Sequence, residues 1–261
     1  MTNKDLADFI FPNITKTIKD YEEIYPERNL EEGSYVTRYA PSPTGFMHIG
    51  NFYSVVVDYV IAKKNNGVFY LRNEDTDQAR EVKGAVEYIR HILEHYELYP
   101  DEYEYRDTNE TKGNYGPYIQ SERKEIYQAF IKELIAEGKA YPCFLTQEEM
   151  DVIRDNQSKA KARIGIYGKF AKYRNLSPEE AIERIKNGEN YTIRIKSEGI
   201  FDRKFKFNDL ANGEMELHEN DIDTIIYKSS TCLPTYHFAH LVDDHLMHTT
   251  HVIRGQEWMS S

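Results

Sequence analysis

Residues 38–51 read RYAPSPTGFMHIGN and place one histidine, two prolines and two glycines in a single turn. A histidine beside a nucleotide phosphate can donate hydrogen bonds to charge that develops in a transition state. Gly45 and Gly50 allow the backbone to approach an anion closely. By itself His48 is more often a structural histidine, but the composition of the whole turn favours phosphate binding.

The turn joins a predicted strand, residues 35–40, to a predicted helix. One apolar stripe of that helix, spaced at i, i+3, i+4, i+7 and i+8, is formed by Phe52, Val55, Val56, Tyr59 and Val60. The helix ends at Asn65, Asn66 and Gly67, and residues 68–71 are typical of a strand buried on both faces. This order predicts a parallel sheet with a right-handed crossover, which binds ligands beyond the carboxyl ends of its strands. The helix N-terminus there attracts phosphate.

The rest of the pattern predicts an α/β protein with an insertion. We expect an acidic, helical and peripheral leader at 1–34 and the first half of a Rossmann-like catalytic domain at 35–104. An inserted α+β subdomain covers 105–220, with capping-box signals at its helices, and the second half of the α/β core resumes at 221–261. The fold is therefore predicted as a Rossmann-like parallel sheet with helices on both faces and one inserted subdomain.

Composition excludes several classes of protein. Hydrophobic residues make up 40% of the 261 residues and charged residues 30%, a globular balance. No apolar run approaches the roughly 18 residues of a membrane span, and the N-terminus is too acidic for a signal peptide. Cys143 and Cys232 lie far apart without metal-ligand spacing, which favours reduced thiols. We expect a cytoplasmic, monomeric protein that does not associate with a membrane.

A net charge of −11 argues mildly against nucleic acid as the main partner, but one segment is strongly basic. Aromatic residues are interleaved with its cations between residues 154 and 174. The candidate RNA-binding cations are Lys159, Lys161, Arg163, Lys169, Lys172 and Arg174. The segment can meet phosphates and stack on bases, or it can be a solvated basic face, and composition alone leaves both interpretations open.

The turn resembles the signature of class I aminoacyl-tRNA synthetases, and residues 38 and 40–45 are similar to its bacterial glutamyl-tRNA synthetase version. Asn51 stands where the last histidine of the motif is usual. Further similar strings are RNEDTD at 72–77, PTYHFA at 234–239, DDHLM at 243–247 and VIRGQEW at 252–258. The resemblance covers residues 35–261, and its blocks have the same order and spacing as those of the family. The leader resembles no part of the family.

The resemblance implies three overlapping sets of site residues. The glutamate-binding set is Arg38, Tyr39, Ala40, Pro41, Ser42, Glu74, Tyr236 and Arg254. The ATP-binding set is Thr44, Gly45, His48, Gly50, Glu257 and Trp258, and the catalytic set is His48, Gly50 and Asn51. The basic segment falls where the family keeps its tRNA acceptor-binding subdomain, which favours RNA contact.

The charges of the glutamate-binding set match their implied ligand. Free glutamate carries two carboxylates and one ammonium, so its site needs two cations and one anion. Arg38, Arg254 and Glu74 supply these charges, and arginine can bond a carboxylate through two parallel contacts. The resemblance assigns the carboxylates to the arginines, the ammonium to Glu74 and a hydroxyl contact to Tyr236.

Metal binding by the protein itself is not expected. Asp75 and Asp77 are interpreted as caps of a helix that begins near Glu81, and Asp243–Asp244–His245 lacks a third close ligand. Some family members hold a structural zinc, but Tyr141–Cys143 matches only half of that motif. We predict no zinc, and Mg²⁺ enters only with ATP as a substrate complex.

We therefore predict the catalytic portion of a glutamate–tRNA ligase, with L-glutamate, ATP and tRNA-Glu as its substrates. The lysine-serine-lysine loop of the family is absent, so we expect a truncated fragment with little or no activity by itself. One alternative is a glutamyl-queuosine tRNA-Asp ligase, a shorter relative. The other is a non-catalytic RNA- or nucleotide-binding module, which the complete set Arg38, Glu74, Tyr236 and Arg254 disfavours.

Overall fold

A computed structural model of the chain describes residues 1–255, except for the side chain of Gln78. The helices are α1 (Asn3–Ile10), α2 (Ile18–Ile24), α3 (Ile49–Lys64), α4 (Ala85–His95), α5 (Lys124–Ala136), α6 (Gln147–Lys159), α7 (Pro178–Lys186) and α8 (Tyr236–Leu246). The strands are β1 (Val36–Tyr39), β2 (Val68–Leu71), β3 (Tyr103–Tyr105), β4 (Glu110–Lys112), β5 (Ala140–Cys143), β6 (Thr192–Ile195), β7 (Lys204–Asp209), β8 (Gly213–His218), β9 (Ile225–Lys228) and β10 (Leu233–Pro234). None of these helices is long and apolar enough to cross a bilayer.

The chain forms two compact units. The first unit comprises residues 1–15 and 128–235, and the second comprises residues 16–127 and the described residues from 236 onward. The chain therefore changes unit after residue 127 and again after 235, not at the predicted boundaries near 105 and 221. Backbone pairing of residues 102 and 119 with the end of β2 accounts for the first difference.

The second unit contains the predicted parallel β–α–β arrangement. Strands β1 and β2 pair in parallel with Val36 opposite Val68, and α3 forms the crossover between them. The core of this unit is built on the buried side chains of Tyr39, Val55, Ala62, Phe69, Leu71, Ile89, Leu93, Leu98 and Tyr105. Both predicted strands and the helix between them are confirmed. Of the predicted apolar stripe of the helix, Val55 is buried and Phe52, Val56 and Tyr59 are partly buried, whereas Val60 is exposed.

Helix α3 has the ends that the sequence predicts. It ends at Asn65, after which Asn66 adopts a left-handed conformation with φ 51°. Gly67 then passes so close to β1 that an added Cβ would lie 1.8 Å from the carbonyl oxygen of Tyr35. Only glycine fits this crossing, which sets the spacing between the helix and the next strand.

The loop after β2 corrects one prediction. Helix α4 begins at Ala85, after Gly84 with φ 84°, so it starts later than expected. Asp75 does not cap it; the carboxylate accepts hydrogen bonds from the N–H and hydroxyl of Ser121 at 2.8 and 2.7 Å. Asp77 instead pairs with Arg80 at 2.6 Å. Both acids stabilise the loop, and neither reaches the start of α4.

The first unit is α+β and corrects a second prediction. Its main sheet has the strand order β10–β9–β6–β5 with antiparallel pairing throughout, and β7 and β8 form a separate hairpin. The strand that follows Ile222 is β9, which pairs with β6 and β10 and not with the parallel strands. The core predicted to resume near Ile222 therefore resumes at α8.

The predicted leader is helical but not peripheral. A threonine begins each of its two helices with a reciprocal capping box, Thr2 at α1 and Thr17 at α2. The leader divides between the units: α1 lies in the first unit, and α2 and the chain after it lie in the second. Five of its side chains are buried, namely Leu6, Ala7, Phe11, Tyr21 and Tyr25.

Candidate active site

The carboxyl ends of β1 and β2 lie at one edge because the strands are parallel. Backbone hydrogen bonds then continue the pairing beyond the strands. The N–H of Arg72 donates to the carbonyl of Tyr39 at 3.0 Å, and that of Glu74 donates to Pro41 at 2.9 Å. Segment 38–42 and Glu74, which are both predicted to bind glutamate, are thus held side by side by main-chain contacts.

An open pocket lies at this edge. Its lining combines predicted glutamate-binding residues with Gly45 and Asn51 of the phosphate-binding turn. The complete lining is Tyr39, Ala40, Pro41, Ser42, Gly45, Phe46, Met47, Asn51 and Ile89. Residues from the predicted glutamate-binding set and from the predicted phosphate-binding turn therefore line one cavity.

A fully buried guanidinium, that of Arg72, is the centre of a charge cluster behind the strand ends. Its Nη2 donates to Glu74 Oε1 at 2.8 Å, and its Nη1 donates to Asp244 Oδ1 at 2.7 Å. Asp243 Oδ2 lies 3.6 Å from Arg72 Nε. Burial raises the pKa of Glu74, and the charges of Arg72 and Arg38 oppose that rise.

Arg38 joins the same cluster through Asp244. Arg38 Nε and Nη2 donate to the two Asp244 oxygens at 3.2 and 3.4 Å. Burial acts to raise the pKa of Asp244, but the two guanidinium charges outweigh it and hold this pKa at about 2. Within residues 1–255, Arg38 Nη1 donates to no other group, so it stays available to a ligand.

Asp243 extends the cluster to the start of α5. Its carboxylate accepts from Arg123 Nε at 2.7 Å, from Gln120 Nε2 at 2.8 Å and from the Tyr127 hydroxyl at 2.9 Å. Three guanidinium groups and three carboxylates are then buried together with no formal net charge. Pairing of this kind offsets the large cost of removing each ion from water.

Sequence reasoning assigned no role in the site to Arg72, Asp243, Asp244, Gln120 and Arg123. Arg72, Asp243 and Asp244 lie within the sequence strings on which the resemblance rests. The sequence therefore marked these positions but did not indicate which residues they contact. The two aspartates were weighed as metal ligands. They bind guanidinium groups instead, and among residues 1–255 no cluster of three or more acids, histidines or cysteines is arranged to hold a metal.

Tyr236 and Arg254 approach the cluster from the side of α8. Tyr236 is the first residue of α8, and its ring centroid lies 4.7 Å from that of His240. Burial lowers the pKa of His240 to about 4, and the charge of Arg254 adds to that effect whereas Asp244 opposes it. Arg254 and Asp244 are thus both within electrostatic range of one imidazole. Glu257 and Trp258 lie outside the described residues.

The turn at the start of α3 gives His48 a structural contact. His48 is the N-cap, and its Nδ1 accepts a hydrogen bond from the Gly50 N–H at 3.1 Å. Asn51 completes the capping box by accepting from the His48 N–H at 3.3 Å. The Gly50 N–H, predicted to contact phosphate, is therefore already paired. A neutral His48 then carries its proton on Nε2, on an exposed side chain.

Several cations of the basic segment have partners inside the first unit. Arg163 Nη2 donates to Asp221 at 2.7 Å, and Arg174 pairs with the fully buried Asp223. Other members of the segment make surface pairs, Lys159 with Asp155 and Lys172 with Glu149. The two arginines therefore stabilise the fold, and the exposed lysines carry what remains of the predicted RNA-binding surface.

We predict that Asp244→Asn destabilises the protein by about 2–3 kcal/mol at pH 7, and that this difference shrinks as pH falls from 4 to 2. A carboxylate whose pKa drops on folding stabilises above its unfolded pKa, and that stabilisation is lost as pH falls through the folded value. Urea unfolding at several pH values measures this. The control Asp77→Asn, on an exposed pair, stays within about 0.5 kcal/mol at pH 7. If the free energies of unfolding of Asp244→Asn and the unaltered chain differ by the same amount at pH 2 and pH 7, the prediction is wrong.

Comparisons with known proteins show the family to which the chain is similar. Residues 34–261 match the family model for the catalytic domain of tRNA synthetases class I (E and Q). A glutamate–tRNA ligase of Clostridium perfringens (strain SM101 / Type A) is 51% identical over 261 residues, which is 100% of this chain and 47% of that protein. One from Acetivibrio thermocellus is 48% identical over 262 residues, again 100% of this chain and 47% of the relative.

A solved structure is also similar, that of a glutamate tRNA ligase from Elizabethkingia meningosepticum in complex with its amino acid. The two share 38% sequence identity with a TM-score of 0.76, over 88% of this chain and 45% of that one. The chain thus spans about half the length of the relatives it matches. Residues 1–33 lie outside the match to the family model, although the two ligases above align over the whole chain.

Proposed function

This chain belongs to the catalytic-domain family of the class I tRNA synthetases for glutamate and glutamine, and we propose that it serves a glutamate–tRNA ligase. The proposed activity is ATP-dependent activation of L-glutamate and its transfer to the 3′ end of tRNA-Glu. The observation that carries the proposal is the buried cluster of Arg38, Arg72, Glu74 and Asp244, which adjoins the pocket lined by residues 39–42. We place this activity in the cytoplasm.

Glutamate would bind at this cluster by charge complementarity. Arg38 and Arg254 would hold the two carboxylates, Glu74 the ammonium, and Tyr236 would add a hydroxyl contact to the side chain. Glutamine would leave a buried guanidinium facing an uncharged amide, which costs roughly 2–5 kcal/mol. Discrimination against glutamine therefore follows from the same arginines that bind glutamate.

ATP, carrying Mg²⁺, would bind beside glutamate along the turn of residues 44–50. The exposed His48 would donate from Nε2 to phosphate oxygens, and the N-terminus of α3 would favour the negative charge. Gly45, with no atom within 4 Å of an added Cβ, leaves room for a phosphate against the backbone. Glu257 and Trp258 complete the proposed ATP-binding set.

The proposed reaction has two steps. A glutamate carboxylate oxygen attacks the α-phosphorus of ATP, the bond to the β-phosphate breaks, and its electron pair leaves with pyrophosphate. A hydroxyl of the terminal ribose of tRNA then attacks the glutamyl carbonyl carbon, loses its proton, and AMP departs. The protein contributes positioning and charge neutralisation, and it forms no covalent bond with the substrate.

The alternatives are weaker. Curated relatives of about 50% identity carry the name glutamate–tRNA ligase, which favours that activity over glutamyl-queuosine tRNA-Asp ligase. A non-catalytic module would have no need for a cluster of charged side chains that are only 0–14% exposed. For tRNA we propose that exposed cations of the basic segment, Lys161 and Lys169, contact phosphates.

We predict that Glu74→Gln weakens glutamate binding about 10- to 100-fold, because one hydrogen bond to the charged ammonium is lost. Glutarate, which lacks the ammonium, should bind the variant and the unaltered chain with dissociation constants within about threefold of each other. Isothermal titration calorimetry measures both ligands. The control Glu23→Gln, on the exposed face of α2, leaves both constants unchanged.

An equal loss of glutamate and glutarate affinity in Glu74→Gln would assign Glu74 to the fold alone. Glutamyl-sulfamoyl adenosine, an analogue of the adenylate that cannot transfer its glutamyl group, tests the whole proposal. Binding of neither this analogue nor glutamate by a folded chain would overturn the ligase and favour the non-catalytic module.

We predict opposite effects of Asn51→Asp on stability and on ATP binding. Aspartate can keep the capping bond and adds negative charge at the start of α3, which stabilises the helix by about 0.3–1 kcal/mol. The same charge repels the phosphates of ATP, and about 1 kcal/mol of repulsion at about 4 Å weakens binding about fivefold. Thermal unfolding and titration with ATP measure the two effects, and adenosine is the uncharged control. If the Asn51→Asp variant binds ATP as tightly as the unaltered chain does, the phosphates of ATP do not bind at this turn.

A further inference from the structure

We infer that Arg28 is a positioning residue of the proposed glutamate site, although it lies upstream of the residues that the family model matches. Arg28 belongs to a segment here named the N-terminal arm, residues 17–28, which comprises the Thr17 cap, helix α2 and the four residues after it. The inference rests on the proposed function. In physical terms, the arm holds the last turn of α8 in place.

Arg28 makes three hydrogen bonds from one buried guanidinium. Nη1 and Nη2 donate to the two carboxylate oxygens of Glu102 at 2.7 and 2.8 Å, a bidentate pair. Nε donates to the carbonyl oxygen of Met247 at 2.8 Å, directly after the end of α8. The guanidinium carbon lies 3.9 Å from the centroid of the Tyr115 ring. Its side chain is only 6% exposed, so these contacts are made away from water.

The arm contacts the end of α8 at two further points. His248 Nε2 lies 2.8 Å from the carbonyl oxygen of Tyr25, and His245 Nε2 lies 3.0 Å from Glu22 Oε1. With Arg28, the arm therefore reaches three of the four residues 245–248. The last carbonyls of a helix lack intrahelical partners, and a cation there also stabilises the helix dipole.

The opposite side of the arm is fixed to residues 102–118. The Tyr25 hydroxyl donates to the Gly116 carbonyl at 2.8 Å, and the Tyr115 hydroxyl donates to the Pro26 carbonyl at 2.9 Å. Glu102, the partner of Arg28, also accepts from the Tyr118 hydroxyl at 2.9 Å. The arm thus joins α8 to a segment that is itself paired with the end of β2.

The turn that Arg28 fixes carries Asp243 and Asp244. The Met247 N–H donates to the Asp243 carbonyl at 2.8 Å and closes the turn that contains Asp244, and Arg28 binds the carbonyl oxygen of that same Met247. Asp244 in turn orients Arg38 and Arg72, the cations next to the proposed ligand. A displacement of this turn would move their guanidinium groups. Misplacement of site groups by about 1 Å from a distance can cost on the order of 100-fold.

Calorimetric titration of glutamyl-sulfamoyl adenosine, glutamate and ATP separates positioning from folding. Arg28→Gln shortens the side chain by two bonds and loses the charge and the bidentate pair. Arg28→Lys keeps the charge and can bond Glu102 or Met247. The matched control is Arg90→Gln in the same unit, since Arg90 bonds two carboxylates at 2.8 and 2.6 Å and lies 5.7 Å from the ring of Tyr105.

We expect Arg28→Gln to raise the dissociation constants of glutamate and the adenylate analogue at least about 10-fold, and Arg28→Lys at least about threefold. The ATP constant should change by less than about twofold, as should all constants of Arg90→Gln. A purely structural role would instead lower the number of binding sites per chain and leave the constant of the folded molecules unchanged. Arg28→Lys supplies the test if the glutamine variant does not fold.

The two proposals fail in different ways. If the unaltered chain binds glutamate and the analogue, and the Arg28 variants bind them with unchanged constants, the positioning role is wrong and the proposed function stands. Equal losses in Arg28→Gln and Arg90→Gln also overturn the positioning role, because they indicate general destabilisation. If the unaltered chain binds neither ligand, the proposed function fails and this inference fails with it.

Discussion

Burial of the Arg72 guanidinium is the constraint on which the rest of the second unit depends. A guanidinium that is 0% exposed needs carboxylates that balance its charge, and here they accept from Nη1 and Nη2, while Nε faces Asp243 at 3.6 Å without a hydrogen bond. Glu74 comes from the same loop, but Asp243 and Asp244 come from a helix about 170 residues away along the chain. The need to pair one cation therefore fixes where α8 must lie against the ends of β1 and β2.

The same pairing prepares the site for its proposed ligand. Asp244 binds the guanidinium of Arg38 and orients it before any ligand is present. The Arg38 side chain therefore loses little conformational entropy when a ligand binds. Arg72 similarly donates a hydrogen bond to one oxygen of Glu74, and the charge of Arg72 opposes the rise in the pKa of Glu74 that burial causes. The cluster carries no formal net charge, whereas glutamate carries one net negative charge, so the proposed site needs Arg254 as the further cation that balances the second carboxylate.

The opening turn shows how one residue can serve structure and chemistry together. His48 caps α3 through Nδ1, and this contact directs the Nε2–H outward at the helix N-terminus. Asn51, which departs from the family motif, keeps the reciprocal contact to the His48 N–H. The amide oxygen of Asn51 accepts this hydrogen bond as another acceptor would. The departure of Asn51 from the family motif is therefore compatible with the fold of the turn.

The sequence by itself determined the local elements: β1, α3, β2 and the capping boxes follow from periodicity and end signals that act within a few residues. It also indicated six of the nine residues that line the pocket, because they belong to one contiguous motif, but it did not indicate Phe46, Met47 and Ile89. Only the tertiary structure decided the partners of Asp75, Arg72, Asp243 and Asp244, the sheet that β9 joins, and the contacts of the leader. These are pairings between residues distant along the chain, and no local periodicity encodes which buried cation meets which carboxylate.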